Sequence, residues 1–360
     1  MVEHIYFSAI GFKRMKKFAI ITGLLSGFLF GIATPLSKML LAGLNSFQLA
    51  GLLYLGATLA MIPFIVKQGR QIKMLFKSGS KIKTLGIIFF GGFLGPLLLM
   101  VGLNSANAAS VSIWLNMELV ATAILGVMIF KDSIDKFTWI GVILTVIAGL
   151  ITSLGEGVSG ITSALLITAA CFCWGIDNHL TALTDGASPQ AVTFVKGIVA
   201  GSVNFGIGCV MSGYSIQFAN VSTALIVGAF SYGISIVLYV TSAQNIGATR
   251  GQILFSTAPL WGVILSYVFL KEYVQWEHLI SIVLLIIAVV MTSVLTHRHQ
   301  HIHFALEHIH IHRHVDGHHD HEHADGDLIR DKWHIHSHIH DATTHEHSHY
   351  PDLHHRHKHR

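Results

Sequence analysis

Charge is scarce in this sequence of 360 residues: Asp, Glu, Lys and Arg together make up 12% of it, against about a quarter in an ordinary soluble domain. That is too little to coat a globule of this size, which argues against a soluble enzyme or a nucleic-acid-binding module as the bulk of the protein. Cysteine is scarcer still, with three residues. Cys171, Cys173 and Cys209 all fall inside apolar stretches, where a free thiol behaves as a small packing group, and no disulfide framework is implied. No G-x-x-x-x-G-K-[ST] phosphate loop occurs, so nothing points to ATP as a driver. No nucleophile, base and orienter set stands out either, and no enzyme activity is expected. A short apolar h-region with a small-residue cleavage site is also missing, so no cleavable signal peptide is expected.

What is present is apolar and long. Hydrophobic residues make up 52% of the sequence. Ten runs between polar breaks, at about 18–40, 46–66, 84–103, 109–130, 137–154, 161–183, 190–211, 222–243, 251–270 and 276–295, approach the roughly 20 residues a helix needs to cross a bilayer. The spacing predicts an all-α membrane protein of ten transmembrane helices. Lys13, Arg14, Lys16 and Lys17 precede the first run, Lys67, Arg70, Lys73, Lys77, Lys81 and Lys83 crowd the second link, and Lys131 and Lys136 follow the fourth run. The opposite loops, "AGLNS", "GEGVSG" and "SGYSIQFANVS", carry no Lys or Arg. The positive-inside bias therefore predicts a multi-pass protein of the cell membrane with both termini cytoplasmic and lipid as its surroundings.

The sequence also repeats itself. "NSFQLAGLLY" from 45 is answered by "ASPQAVTFVK" from 187, and "MIFKDSIDKFTWIGVILTVIAGLITS" from 128 by "VFLKEYVQWEHLISIVLLIIAVVMTS" from 268. Five spans per copy is an odd number, so the second copy must sit inverted relative to the first, a common build for secondary transporters. This divides the protein into an N-terminal segment 1–17, a first repeat 18–154, a second repeat 155–296 and a tail 297–360. Small residues every four positions in "GLLSGFLFG" (23–31) and "GIVAG" (197–201) permit close helix packing. Pro35, Pro96 and Pro259 interrupt spans and bend them.

Several residues together resemble a known family. Gly31 and Lys38 in a small-residue first span, "CWGI" at 173–176 and "APLWGVILSYVFLKE" at 258–272 are similar to the EamA-type branch of the drug/metabolite transporter superfamily, over residues 18–296. The resemblance implies a permease for small organic solutes, often directed outward and not driven by ATP. Two departures from the family pattern matter: "NMELV" keeps Glu118 but has Leu119 where a proline is common, and Tyr54 stands where an arginine is common, with Lys196 at the matching place in the second repeat.

A charge inside a span costs roughly 2.5–3.5 kcal/mol at the helix centre, so the few present need a reason. Glu118 lies near the middle of the fourth span. Asp177 and Lys196 lie at matching depth in consecutive antiparallel spans, about 9 Å in at 1.5 Å per residue. They read either as a substrate or proton-coupling site or as an ion pair that fixes helix register. Lys38, near the outer end of the first span, and Arg250, at the start of the ninth, are further pathway candidates, or else a snorkelling side chain and a topology signal. His179 reads as a satisfied helix-end histidine, with metal ligation the alternative.

Beyond residue 296 the composition changes abruptly. Of 26 histidines, 23 fall in the tail. They form six clusters: His297, His299, His301, His303; His308, His310, His312, His314; His318, His319, His321, His323; His334, His336, His338, His340; His345, His347, His349; and His354, His355, His357, His359. In an extended backbone the H-x-H pattern offers two imidazoles on one side, the donor type that suits zinc, nickel or cobalt. The tail is therefore expected to be disordered and to bind transition metal, while the permease itself requires no cofactor. Three functions remain open: an organic-solute permease regulated through its tail, an exporter of nickel, cobalt or zinc with the tail as collector, and a membrane-anchored metal buffer or sensor. Composition fixes neither the substrate nor the oligomeric state.

Overall fold

The computed structural model describes residues 18–66, 69–77, 79–130, 136–184, 188–212, 217–246, 254–294, 298–303, 306–312, 334–340 and 343–348. Up to residue 294 the described protein is nearly all helix. Among the described residues seven helices are long and apolar enough to cross a membrane: α1 Phe18–Leu40, α2 Ser46–Ile65, α3 Lys81–Asn104, α4 Ala108–Ile129, α5 Lys136–Thr181, α6 Pro189–Ser212 and α7 Phe218–Ser242. Two shorter apolar helices follow, α8 Ala258–Leu270 and α9 Trp276–Met291.

At 46 residues, α5 would measure about 69 Å if straight, over twice the hydrocarbon thickness. It is broken at Gly157, whose φ of 70° and ψ of −159° are open to glycine and costly for other residues. This break falls within "GEGVSG", where one apolar run of the sequence ends and the next starts. The start of α2 is set by a side-chain cap. The Asn45 side chain accepts from the Gln48 N–H at 2.8 Å while Gln48 Oε1 accepts from the Asn45 N–H at 3.1 Å, a capping box that starts α2. Asn45 Nδ2 also donates to Gly208 O (2.9 Å) and Ser212 Oγ (2.6 Å), tying the start of α2 to the end of α6.

Close packing follows the small residues. Gly23, Gly27 and Gly31 lay α1 against residues 254–262, and Gly51, Gly197 and Gly201 bring the backbones of α2 and α6 together. A core of Leu49, Leu53, Leu99, Leu103, Trp114 and Ile167 is fully buried. Leu154, Val158, Phe218 and Met128 stand exposed on the periphery, as apolar side chains do where lipid is the solvent.

Three stretches depart from α-geometry. Ile87–Leu94 in α3, Gly126–Phe130 in α4 and Gly228–Ile234 in α7 are π-helical. The α4 backbone also makes a turn at residues 115–116. In the tail the structure corrects an expectation, because segments expected to be disordered form paired strands. β1 Arg298–His303 runs antiparallel to β4 Thr343–Ser348, and β2 Leu306–His312 to β3 His334–His340, one ladder nested within the other. The H-x-H alternation has a strand's period of two, and the interposed Ile and Thr favour strand.

Candidate functional site

The interior site is built where α2, α3, α4, α6 and the second arm of α5 meet. Asp177 and Lys196, predicted to lie at one depth, form an ion pair of 2.6 Å with both side chains largely buried. Thr181 Oγ1 donates to the other carboxylate oxygen of Asp177 at 3.3 Å. Gly91 leaves the room this carboxylate occupies, since a Cβ there would overlap it.

The π-helical stretch of α3 supplies acceptors. Widening a helix frees backbone carbonyls from their intrahelical partners. Gly91 O accepts from Tyr54 Oη at 2.7 Å and from Trp174 Nε1 at 3.3 Å. Phe93 O accepts from Asn204 Nδ2 at 3.2 Å, and Asn204 Oδ1 is buried with no hydrogen-bond partner among the described residues. Tyr54 and Lys196, which occupy matching positions in the repeated sequence, thus both reach the Gly91 neighbourhood from facing helices. One brings a hydroxyl and the other a charge.

Glu118 lies across the same space, just after the turn in α4. Asn178 Nδ2 donates to its Oε1 at 2.8 Å. Glu118 is within electrostatic reach of Asp177, Lys196, Tyr54 and Tyr239, so these groups border one interior region. A series of aromatic rings lines it further: Tyr54 packs on Tyr232 (5.7 Å between centroids), Tyr232 on Phe30 (5.7 Å), Phe30 on Phe255 (5.2 Å) and Phe255 on Tyr239 (5.1 Å). The arrangement can hold a small solute between aromatic faces with a carboxylate at one side. Asp177 already faces Lys196, whereas the donor to Glu118 is a neutral amide.

Other predicted site residues are placed elsewhere. Lys38 does not reach the central cluster. Its Nζ donates to Leu103 O (2.8 Å) and Asn104 O (3.0 Å) at the far end of α3, where the helix-terminal carbonyls attract a cation. His179 Nδ1 donates to Gly175 O at 2.7 Å, the satisfied role expected of it. Cys171 is buried with its thiol 3.6 Å from Leu115 O at the α4 turn. Arg250, His297, His314, His318, His319, His321, His323, His349, His354, His355, His357 and His359 lie outside the described residues. The remaining tail histidines fall in strands, and the register sets ten of them opposite one another, His299 with His347, His301 with His345, His308 with His338, His310 with His336 and His312 with His334, while His303 faces Thr343 and His340 faces Leu306.

Sequence reasoning passed over Asn178, Gly91 and Asn204, and took Trp174 only as part of the "CWGI" motif. Asn178 and Asn204 carried a signal, being amides inside apolar runs. Gly91 carried only the "GG" at 91–92.

Comparison with known proteins agrees with this architecture. The EamA-like transporter family matches residues 17–154 and again residues 161–294. An uncharacterized transporter of Methanothermobacter thermautotrophicus is 25% identical over 267 residues, covering 68% of this chain and 76% of its own. The uncharacterized transporter YyaM of Bacillus subtilis is 24% identical over 254 residues, 66% of this chain and 81% of its own. A protein of known crystal structure superposes with a TM-score of 0.56 over 77% of this chain and 96% of that one, at 12% identity, a likeness of fold alone. Matched twice along its length, this multi-pass membrane protein belongs to the EamA-like transporter family.

Proposed function

We propose that the protein is a secondary permease of ten spans, built as two inverted five-span repeats, that exports small organic solutes through the interior site. It is a transporter and not an enzyme. Counting the two arms of α5 separately and adding α8 and α9 gives the ten spans. The repeat is supported by the double family match and by backbone irregularities that recur 141 positions apart: the π-helical stretches start at Ile87 and Gly228, and turns break helices at 115–116 and 256–257. The paired arrangement of lysines and apolar spans supports a cell-membrane location with both termini in the cytoplasm.

The observation that carries the reading is the interior cluster of Glu118–Asn178 and Asp177–Lys196 on three helices, bordered by aromatic rings. With Asp177 neutralised by Lys196, Glu118 is the carboxylate available to a cationic solute group or to a coupling proton. Among the described residues of the helical bundle, 18–294, no group of three or more His, Cys, Asp or Glu is placed to hold a metal ion, and the reading therefore takes an organic solute, not a metal, as the cargo of the interior site. Reconstituted full-length protein should move at least one organic cation or amino acid, and Glu118→Gln should cut that flux about 10- to 100-fold, the worth of a charge-assisted contact of about 1.5–3 kcal/mol. Zinc, nickel or cobalt flux that depends on Glu118, with no organic flux, would replace this reading by the metal-exporter one.

The second part of the proposal concerns the tail. It binds zinc, nickel or cobalt on the cytoplasmic side and regulates the permease. The register of histidine opposite histidine in both ladders supports it, because residues i and i+2 and those registered across from them share one face of a ribbon. Equilibrium dialysis of nickel against the full-length protein and a version ending at Thr296 tests it: equal retention by the two would rule the tail out as the metal site.

A further inference from the structure

Three charged side chains outside the interior site converge on one short stretch of backbone, the tip where α3 gives way to α4. Lys38 of α1 donates to Leu103 O and Asn104 O, the last carbonyls of α3. Glu272, on the strap that joins α8 to α9, accepts from the N–H groups of Ala108 and Ala109, at 2.9 Å each. Glu156, at the end of the first arm of α5, accepts from Asn107 Nδ2 at 2.8 Å and from Ser110 Oγ. A cation thus caps the negative end of one helix and an anion the positive end of the next, each favourable with the peptide dipoles.

His278, buried in the first turn of α9, extends the grip. Its Nδ1 accepts from the Gln275 N–H at 3.1 Å, so a neutral ring carries its proton on Nε2, which donates to Ser110 Oγ at 2.8 Å. Ser110 Oγ in turn donates its hydroxyl hydrogen to the Glu156 carboxylate. Lys38 is also within electrostatic reach of Glu272 and Glu156. The tip is therefore held from α1, from α5 and from the α8–α9 strap at once. Within the interior site itself the picture differs: Asn178 is exposed and Glu118 only half-buried.

We infer that the clasp of Lys38, Glu156 and Glu272 around residues 103–110 is the outer gate of the permeation path, closed in this structure, and that its release opens the interior to the outside. The inference rests on the transport reading, since a gate needs a path. It adds that Lys38 and Glu272 are positioning residues for one conformation and not solute ligands.

The test is accessibility, which requires no known substrate. Ser112, buried on α4 behind the tip and packed against Gly262, is replaced by cysteine in the full-length protein. A membrane-impermeant maleimide is then added from outside, with the parent carrying buried Cys171, Cys173 and Cys209 as background. The Ser112→Cys reporter alone should label slowly. Adding Glu272→Gln or Lys38→Met should raise the rate about tenfold, the effect of about 1.4 kcal/mol on an opening equilibrium. Lys83→Met, which removes a bond to Leu183 O at the other end of the bundle, should leave the rate unchanged. If Glu272→Gln fails to give a monodisperse protein, Glu272→Asp and Lys38→Met probe the same clasp. Unchanged labelling in the folded variants overturns the gate even if solute flux is intact. Absent flux with enhanced labelling keeps the gate and fails only the solute assignment.

Discussion

A Cβ on Gly91 would occupy the space of the Asp177 carboxylate. Overpacking of a dense interior costs about 1–3 kcal/mol, so Gly91→Ala should lower the thermal midpoint in detergent and reduce flux, while Ala at the open Gly206 position should do neither. The Asp177–Lys196 pair makes a sharper prediction. Removing one partner strands a buried charge, at about 3–5 kcal/mol, so Asp177→Asn and Lys196→Met should each destabilise strongly. The double variant should recover much of the loss, as measured by a double-mutant cycle on the unfolding midpoint. Additive losses would mean that the 2.6 Å contact carries no coupling. That these two would meet was legible from their matching depth in neighbouring runs. That Asn178 would serve Glu118 was not, because the contact depends on how α4 and α5 are rotated about their axes, and apolar runs this uniform do not fix rotation.

Among the elements, most of the long apolar helices were legible as runs of bilayer length, whereas two expected spans are merged in the 46-residue α5 and the expected span 251–270 yields only the shorter α8, Ala258–Leu270. The break at Gly157 was legible from its polar, glycine-rich surroundings. The π-helical stretches were not, and in α3 the carbonyl they free meets tertiary partners that no local pattern announces: Gly91 O serves Tyr54 and Trp174 together. The role of Lys38 escaped sequence reading for a related reason, as its partners are backbone carbonyls, which every residue has. The strands of the tail were hidden by composition, because the charged and histidine-rich character suggested solvation while the alternation itself spelled a ladder. At this scale the Asn45 cap gives a clean expectation. Asn45→Ala removes the box that starts α2 and the bonds to Gly208 and Ser212, and should cost about 1–2 kcal/mol, the upper end for an N-cap, read as a lower midpoint of thermal unfolding.

For the whole molecule, removal of the tail should abolish the response of solute flux to nickel without abolishing flux itself. A version ending at Thr296 should keep solute flux and lose nickel retention. Because metal and proton compete for the same imidazole nitrogen, acidification should strip nickel from the full-length protein, and the reverse order of affinity would contradict imidazole ligation. The two halves of the bundle are harder to separate, since the core of Leu49, Leu99, Trp114, Ile167 and Val227 is drawn from both.

Tyr54 and Lys196 stand at matching places in the repeated sequence, yet one offers a hydroxyl to Gly91 O and the other a charge to Asp177. If two inverted halves were identical, the pose facing in and the pose facing out would be equivalents of equal energy, and the molecule would rest in either indifferently. Here the paired acid and base sit on the second half alone. On the proposed reading of two inverted halves, the difference between a phenol and an ammonium at one pair of positions would give the protein a preferred resting side.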